Sequence, residues 1–430
     1  MAEHKIVVGV DIGTNKIVTV IAKINEEKTV HVLGVSEVKS AGIKKGQIVD
    51  IEEAVHAINT SLEAAERMAG YSVSHVIVSL GGSHIESQNS RGVVAVSNPQ
   101  GEITQNDLQR VIDAAKAVSF PSTREIIHVL PRHYSVDGQE DIKDPIGMTG
   151  VRLEVDTHII TASSISLRNM EKALSEVGVD VDAFVFSGYA SSLSVLSDTE
   201  KELGVVLVDI GSGTTDISMY VDGSVTHSSV LPIGAKHVTN DLAIGLRISL
   251  ESAEKIKLFL SRPKRDMQFD EDDGEKRHRS SDEVDLTSLK LPEDLRLVSR
   301  KTLVEGIIRP RLNEIFSMIG QEIKKSGWGG QTPAGLVVTG GGAKTVGVVD
   351  SAKRTLAMPV RVGAPTELKG IKDEVEDAPF AAVIGLIIYG SSLNVAESRL
   401  PFGFGVPAFK FLQGGKIGKK IITFIKSFIP

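Results

Sequence analysis

Asp11 and Asp209 lie far apart in the chain but share a local sequence: an apolar run, then Asp-Ile-Gly-Thr or Asp-Ile-Gly-Ser, then a second run with alternating apolar positions. The first copy reads Val7-Val-Gly-Val-Asp-Ile-Gly-Thr-Asn-Lys-Ile-Val-Thr-Val20, the second Leu207-Val-Asp-Ile-Gly-Ser-Gly-Thr-Thr-Asp-Ile-Ser-Met-Tyr220. Each predicts a strand, a tight turn of glycines and hydroxyls, and a return strand. Such turns suit phosphate, because glycine lets backbone N–H groups approach an anion that a side chain would block. The plainer reading of either aspartate is a strand-end residue tying down its own turn. A chain that builds one hairpin twice is expected to form two related halves facing one site.

Neither hairpin is a Walker P-loop, since the turns return as strands and no Gly-Lys-Ser/Thr follows. Gly211-Ser-Gly213-Thr-Thr-Asp216 also fails the G-x-G-x-x-G dinucleotide pattern. A third glycine turn, Gly340-Gly341-Gly342, follows the apolar run Leu336–Thr339, and Lys344-Thr345 beside it imitates Walker A only superficially. Glu254 and Lys257, three apart on an expected helix, share a face and by themselves read as a surface ion pair.

The elements that must carry these turns follow the order of an open α/β sheet. After the first hairpin come a strand at 29–38, a helix at 51–69 ending before Gly70, and an apolar strand at 73–80 closing on Gly81-Gly82. The pattern then changes over residues 84–162, with strands at 92–96, 126–136 and 151–161 and a helix from Thr104 to Ala117, which predicts an inserted α+β subdomain. Helices at 166–177 and 188–196 flank a strand at 182–186 before the second hairpin. Beyond it are a strand at 224–231, helices at 235–244 and 249–260, a charged loop at 262–285, a long helix over 297–325 with Pro310 either kinking it or in the first turn of a second helix, and helices at 346–356 and 378–390.

At 430 residues the chain is long enough for several domains. Its 41% hydrophobic and 24% charged residues are those of a globular protein, and a net charge of −7 gives no reason to expect nucleic acid as a partner. Absence of cysteine excludes disulfides and thiolate metal sites and fits a reducing compartment. No signal peptide and no membrane-spanning run of about 18 apolar residues is present, so a cytoplasmic location is expected unless something anchors the chain.

Two Asp-Ile-Gly hairpins and a strand-Gly-Gly-Gly-helix unit in this order resemble the actin, Hsp70 and sugar-kinase ATPase superfamily. That resemblance implies a duplicated, ribonuclease H-like α/β fold with ATP between its halves. By it, Gly13, Thr14, Asn15 and Lys16 would meet the β and γ phosphates from one side, and Gly211, Ser212, Gly213, Thr214 and Thr215 from the other. Asp11 and Asp209 would hold a hydrated Mg²⁺, Glu254 and Lys257 would line the adenine and ribose, and Gly340, Gly341 and Gly342 would hold the adenosine. The superfamily's two interdomain helices would correspond to 187–196 and 379–390. Actin-like relatives begin the first of these with a Glu or Gln that orients the attacking water; here Ser187 stands near that position with no carboxylate or amide nearby, which implies tight ATP binding with slow hydrolysis.

The last fifteen residues place Ile417, Ile421, Ile422, Phe424, Ile425, Phe428 and Ile429 on one arc at about 100° per residue, opposite Lys416, Lys419, Lys420 and Lys426. Four lysines and no acid predict an interfacial helix on an anionic membrane, with docking on the protein's own body as the alternative. The Gly- and Pro-containing stretch 399–415 reads as its tether. An actin-like fold, an insertion after the first half-sheet and a basic amphipathic tail together closely resemble the FtsA family of bacterial cell-division proteins. Membership would imply filaments that tether the tubulin-like protein FtsZ to the cytoplasmic face of the cell membrane at the division site and recruit other division proteins. It would divide the chain into a first actin-like domain (1–83, 163–200, 385–398), the insert (84–162), a second actin-like domain (201–228, 311–384), an FtsZ-tail-binding subdomain (229–310), a linker (399–415) and a membrane helix (416–430). Arg296, Arg300, Lys301 and Arg309 are the candidate contacts for that tail, with ordinary solvated charge as the competing reading. A pilus-assembly relative, a chaperone-like ATPase and a sugar or acid kinase are the alternatives.

Overall fold

The computed structural model describes residues 5–25, 29–262, 282–371 and 373–393. The expected linker and membrane helix, with Ile417, Lys419, Lys420, Ile421, Phe424, Ile425, Lys426 and Phe428, lie outside the described residues, as does most of the charged loop.

Two sheets share one topology. In the first, the neighbours run Asp180–Phe186, His75–Leu80, Lys5–Ile12, Lys16–Ile24, Val30–Lys39, with Leu368–Gly370 added at the far edge. In the second they run Val360–Val362, Leu336–Thr339, Val205–Ile210, Thr215–Val221, Ser224–Leu231. Each sheet joins three consecutive strands antiparallel and adds two more parallel to the first of them. The strands carrying the aspartates are central, and Val205–Ile210 is buried at every residue, which explains its unbroken apolar run.

Helices cover the sheets where sequence signals place them. Ile51–Ala69 starts at Asp50, whose side chain accepts from the Glu53 amide, and stops at Gly70 in the left-handed conformation. Between the lobes lie Ser187–Val195 and Ala381–Ser392, both buried on nearly every side, as expected of helices without a polar face. They cross at Gly385, where a Cβ would sit 1.8 Å from the Ala190 carbonyl oxygen, and Ser194 Oγ donates to the Ala381 carbonyl at 2.7 Å. Only a residue without a side chain allows that crossing.

The insert is a four-stranded antiparallel sheet, ordered Glu86–Ala95, Arg152–Ser163, Arg124–Val136, Gln139–Ile142, with Gln105–Lys116 packed on it around Leu108, Val111, Leu153 and Ile159. Its first strand is longer than the expected 92–96, and the short strand Gln139–Ile142 was not expected. The expected helix over 297–325 is corrected at its start, while the alternative of a second helix with Pro310 in its first turn is met. Leu297–Ser299 is a strand paired with Glu283–Asp285, inside the expected charged loop, and π-helical turns at Thr302–Ile308 lead into the helix Arg309–Ser326, with Pro310 in its first turn. Leu286 and Leu291 are buried against the second lobe, and that docking creates the pairing, which no local periodicity announces.

Two buried histidines tie the insert to its surroundings. His128 Nε2 accepts from the Phe186 amide at 3.0 Å, its ring packed edge-on against Tyr189 and Tyr389. His158 Nδ1 donates to Asn89 Oδ1 at 2.7 Å, and in the neutral ring its Nε2 accepts from Ser228 Oγ at 3.0 Å. Burial pushes both down to about 3. The unfolded chain therefore takes up protons first as pH falls below about 6.5, and the stabilisation present above that value is lost at about 1.4 kcal/mol per pH unit for each ring. Denaturant titrations between pH 7 and 5 are expected to show this slope, and His158→Gln, though less stable at pH 7, should lose stability less steeply; an unchanged slope would refute the assignment.

Candidate functional site

The two hairpins close in the same way. The Gly13 amide donates to the Lys16 carbonyl at 3.0 Å, and the Gly211 amide to the Thr214 carbonyl at 2.9 Å. Their tips meet: a Cβ on Gly213 would lie 3.0 Å from Thr14 Oγ1. The second turn is braced by the start of the helix Ala235–Leu246, whose Ala235 and Lys236 amides donate to the Gly211 and Ser212 carbonyls, both at 2.9 Å. Between the lobes this leaves a cleft of about 900 Å³.

Of the residues singled out in the sequence, Asp11, Gly13, Thr14, Asn15, Lys16, Asp209, Gly211, Ser212, Thr214, Glu254, Lys257, Gly340, Gly341 and Gly342 line the cleft, with Ser187 at its inner end. Gly213 and Thr215 do not. Gly213 is the contact point between the hairpins, and Thr215 is fully buried, its Oγ1 donating to the Ile233 carbonyl at 2.8 Å. Gly340 is required by geometry: it has φ +80° and a Cβ there would come within 2.1 Å of Asp209 Oδ1. Lys257 is buried and donates to Thr239 Oγ1 at 2.9 Å, and that hydroxyl donates to Glu254 Oε2 at 2.6 Å, so the pair is part of a cleft wall rather than a free surface ion pair.

Each hairpin aspartate accepts from a serine of a neighbouring element, Asp11 Oδ1 from Ser79 at 2.6 Å and Asp209 Oδ2 from Ser191 at 2.5 Å. A third carboxyl, Asp216, was not singled out. It returns opposite Asp209 on the antiparallel partner strand and lines the same cleft, with Oδ1 buried and unpartnered among the described residues. The signal was present as the last letter of the second hairpin, but the first hairpin carries Val18 in the equivalent register, and the comparison of copies hid it. The space beside Ser187 also corrects the reading that no carboxylate is near it: a Cβ on Gly81 would lie 3.4 Å from Ser187 Oγ and 3.5 Å from Asp216 Oδ2.

Three carboxyls in one desolvated space raise one another's affinity for protons. Burial pushes Asp209 up to about 7, helped by the charge of Asp11 and opposed by the Ser191 hydrogen bond. Burial and the charges of Asp209 and Asp11 push Asp216 well above the carboxylate range, and burial also raises Asp11 against its bond from Ser79. Lys16, whose charge opposes the shifts of Asp11 and Asp209, is held 2.6 Å from Glu37 and lies 4.4 Å from the centre of the Phe380 ring. No group of three His, Cys, Asp or Glu among the described residues could hold a metal ion unaided.

Arg296, Arg300, Lys301 and Arg309 form no comparable site. Arg296 pairs with Asp294, the Arg300 and Lys301 amides donate to Asp282, and Arg309 pairs with Glu305.

Residues 206–385 match the family described as "Cell division protein FtsA", and residues 82–161 that described as "SHS2 domain inserted in FTSA". The "Cell division protein FtsA" of Pseudomonas aeruginosa is 37% identical over 388 residues, 90% of this chain and 89% of its own length. The chain belongs to the FtsA family of cell-division proteins. The FtsA of Borreliella burgdorferi is 39% identical over 390 residues, 90% of this chain and 91% of its own. Among solved structures, the "PilM-PilN type IV pilus biogenesis complex" shares the fold, with a TM-score of 0.62 at 14% identity over 89% of this chain and 98% of that one.

For this FtsA-family chain the raised Asp209 has a measurable cost. Its folded-state affinity for a proton exceeds the unfolded one, so the stability it contributes is present below about pH 4 and lost as pH rises through about 7. Asp209→Asn should stabilise the ligand-free protein at pH 8 by roughly 2–4 kcal/mol and flatten its loss of stability between pH 5 and 8. Urea unfolding of the two proteins checks this; equal stability at pH 8 would refute it.

Proposed function

We propose that this chain binds ATP with Mg²⁺ in the interlobe cleft and, assembled into filaments, tethers the C-terminal tail of FtsZ to the cytoplasmic face of the cell membrane at the division site. The observation that carries the cleft reading is the meeting of two like hairpins over three desolvated carboxyls. The division role rests on family membership.

Gly13, Thr14, Asn15 and Lys16 would take the phosphates from one lobe and Gly211, Ser212 and Thr214 from the other. Glu254, Lys257 and Gly340 to Gly342 would hold the nucleoside. The residues fit Mg²⁺ through Asp11 and Asp209, because that ion usually keeps several waters and uses one or two carboxylates with substrate phosphates. When bound, it supplies the positive charge that lets Asp11 and Asp209 ionise. The unpartnered Asp216 oxygen supports the same reading, since a buried carboxyl without partners is costly in an empty cleft.

Hydrolysis would be slow. Asp216 shares space with Ser187, where a water is to be oriented, but burial, with the charges of Asp209 and Asp11, favours its protonated form, which is a poor base. Phosphate release should be weak and should increase as pH rises and this group ionises. Asp216→Asn should remove the residual turnover and its pH dependence while ATP binding persists; a variant with unchanged turnover would overturn this role.

Each tail lysine near an anionic surface contributes about 1 kcal/mol, so a single tail would be a reversible anchor and a filament of many copies a firm one. No helix among the described residues is long and apolar enough to cross a membrane. Sedimentation with FtsZ on anionic liposomes should therefore require residues 416–430 and improve with ATP; retention of a chain lacking those residues would refute tail anchoring. Arg296, Arg300, Lys301 and Arg309 stay as candidate contacts for the FtsZ tail. A pilus-assembly, chaperone-like or sugar-kinase role draws support only from the shared fold.

A further inference from the structure

The insert leaves the first lobe after His75–Leu80 and returns to it at the helix Ser164–Val177, so both of its covalent attachments are to one lobe. On its other side it touches the second lobe. Glu86–Ala95, an edge strand of the insert, lies beside Ser224–Leu231, an edge strand of the second sheet. Their contacts run from side chain to backbone. Ser87 Oγ donates to the Ser228 carbonyl at 2.7 Å and accepts from the Ser228 amide at 3.2 Å, and Asn89 Nδ2 donates to the Thr226 carbonyl at 3.2 Å. Residues 87 and 89 thus meet 228 and 226, a spacing of two on each strand in opposite directions, as for antiparallel strands held a side chain apart. On the insert's next-but-one strand, the Arg132 carbonyl accepts from Ser224 Oγ at 3.0 Å, and the Arg132 guanidinium lies 4.8 Å from the centre of the Trp328 ring.

A second observation bears on the same seat. Arg132 Nε and, on the edge strand, His227 Nε2 and Ser229 Oγ are buried with no hydrogen-bond partner among the described residues. Folded proteins pair nearly all such atoms. A seat made of a few directional bonds, with unused bonding capacity around it, is poorly committed to one position.

We propose that this joint is a releasable clasp: it holds the insert on the second lobe while the cleft is open and shears when the lobes close on a ligand. The insert travels with the first lobe, so any rotation about the crossing of Ser187–Val195 and Ala381–Ser392 moves Ser224–Leu231 past Glu86–Ala95. Hydrogen bonds near 3 Å weaken steeply over a displacement of an ångström or two, whereas an apolar face would slide. The clasp thereby couples the position of the insert to the state of the cleft. The coupling rests on the reading that the cleft binds nucleotide; the clasp itself does not.

The chain has no cysteine and one tryptophan, so a lock and a reporter can be placed cleanly. In the full-length double variant Ser87→Cys, Ser228→Cys, oxidation should weaken Mg²⁺-ATP binding at least tenfold relative to the reduced protein. Trp328 emission should respond to Mg²⁺-ATP in the wild type and the reduced variant but not in the oxidised one. Equal affinity and equal emission changes in both redox states would overturn the coupling. A nucleotide-free comparison decides the clasp: in Ser87→Ala the Ser228 amide should exchange hydrogen at least tenfold faster than in the wild type, with Gln105–Lys116 and Arg152–Ser163 unchanged. No acceleration would overturn the clasp. Failure of the wild type and both redox forms to bind ATP would instead overturn the nucleotide reading and with it the coupling, leaving the exchange result to decide the clasp.

Discussion

Crowding of Asp11, Asp209 and Asp216 in one desolvated space is the constraint around which the two lobes are arranged. Each carboxyl sits at a strand position that the sheet fixes, so none can move away from the others without breaking its ladder. Ser79 and Ser191 relieve part of the repulsion by donating hydrogen bonds, and protonation relieves the rest. Such a space is stable either with its protons or with a cation, and it makes the ligand-free and the loaded cleft different electrostatic objects. Ser191 belongs to a helix between the lobes and Ser79 to a strand of the first sheet, so a change in the charge of this space acts directly on the elements that join the halves.

Those joining elements are few and tightly fitted. The two buried helices approach so closely at Gly385 that they form a defined crossing rather than a loose seam. Around it, Tyr189, Tyr389 and His128 pack edge to face, which connects the crossing to a strand of the insert. The insert is therefore held by aromatic packing near the hinge and by polar bonds farther out along Ser224–Leu231. A body fixed near a pivot and lightly held at its rim responds to a small rotation mostly at the rim.

Family membership and the cleft bear on different parts of the chain. The match to FtsA relatives spans about nine-tenths of the sequence, while the chemistry is concentrated in three short turns. The likeness to the "PilM-PilN type IV pilus biogenesis complex" at 14% identity is one of fold alone, and a fold by itself does not name a partner.

Much of this protein was legible in its residues. Period-two runs ending in Asp-Ile-Gly marked both hairpins, Gly70 marked the end of the helix Ile51–Ala69, and Thr104 marked the start of the insert's helix, because these signals act over a few neighbouring residues. The duplication could be seen for the same reason, and the resemblance to FtsA followed from the order of such signals. Asp216 as a cleft residue, the burial of Lys257, the withdrawal of Gly213 and Thr215 from the cleft and the strand at Leu297–Ser299 could not be read this way. Each depends on a partner distant in sequence: Asp11 across the lobes, Thr239 on another helix, Thr14 on the other hairpin, Glu283–Asp285 at the end of the charged loop. Local pattern determined the turns and the elements that carry them, whereas desolvation and cross-lobe contact, which exist only once both halves are folded together, decided which turn residues face the ligand space and what charge they bear.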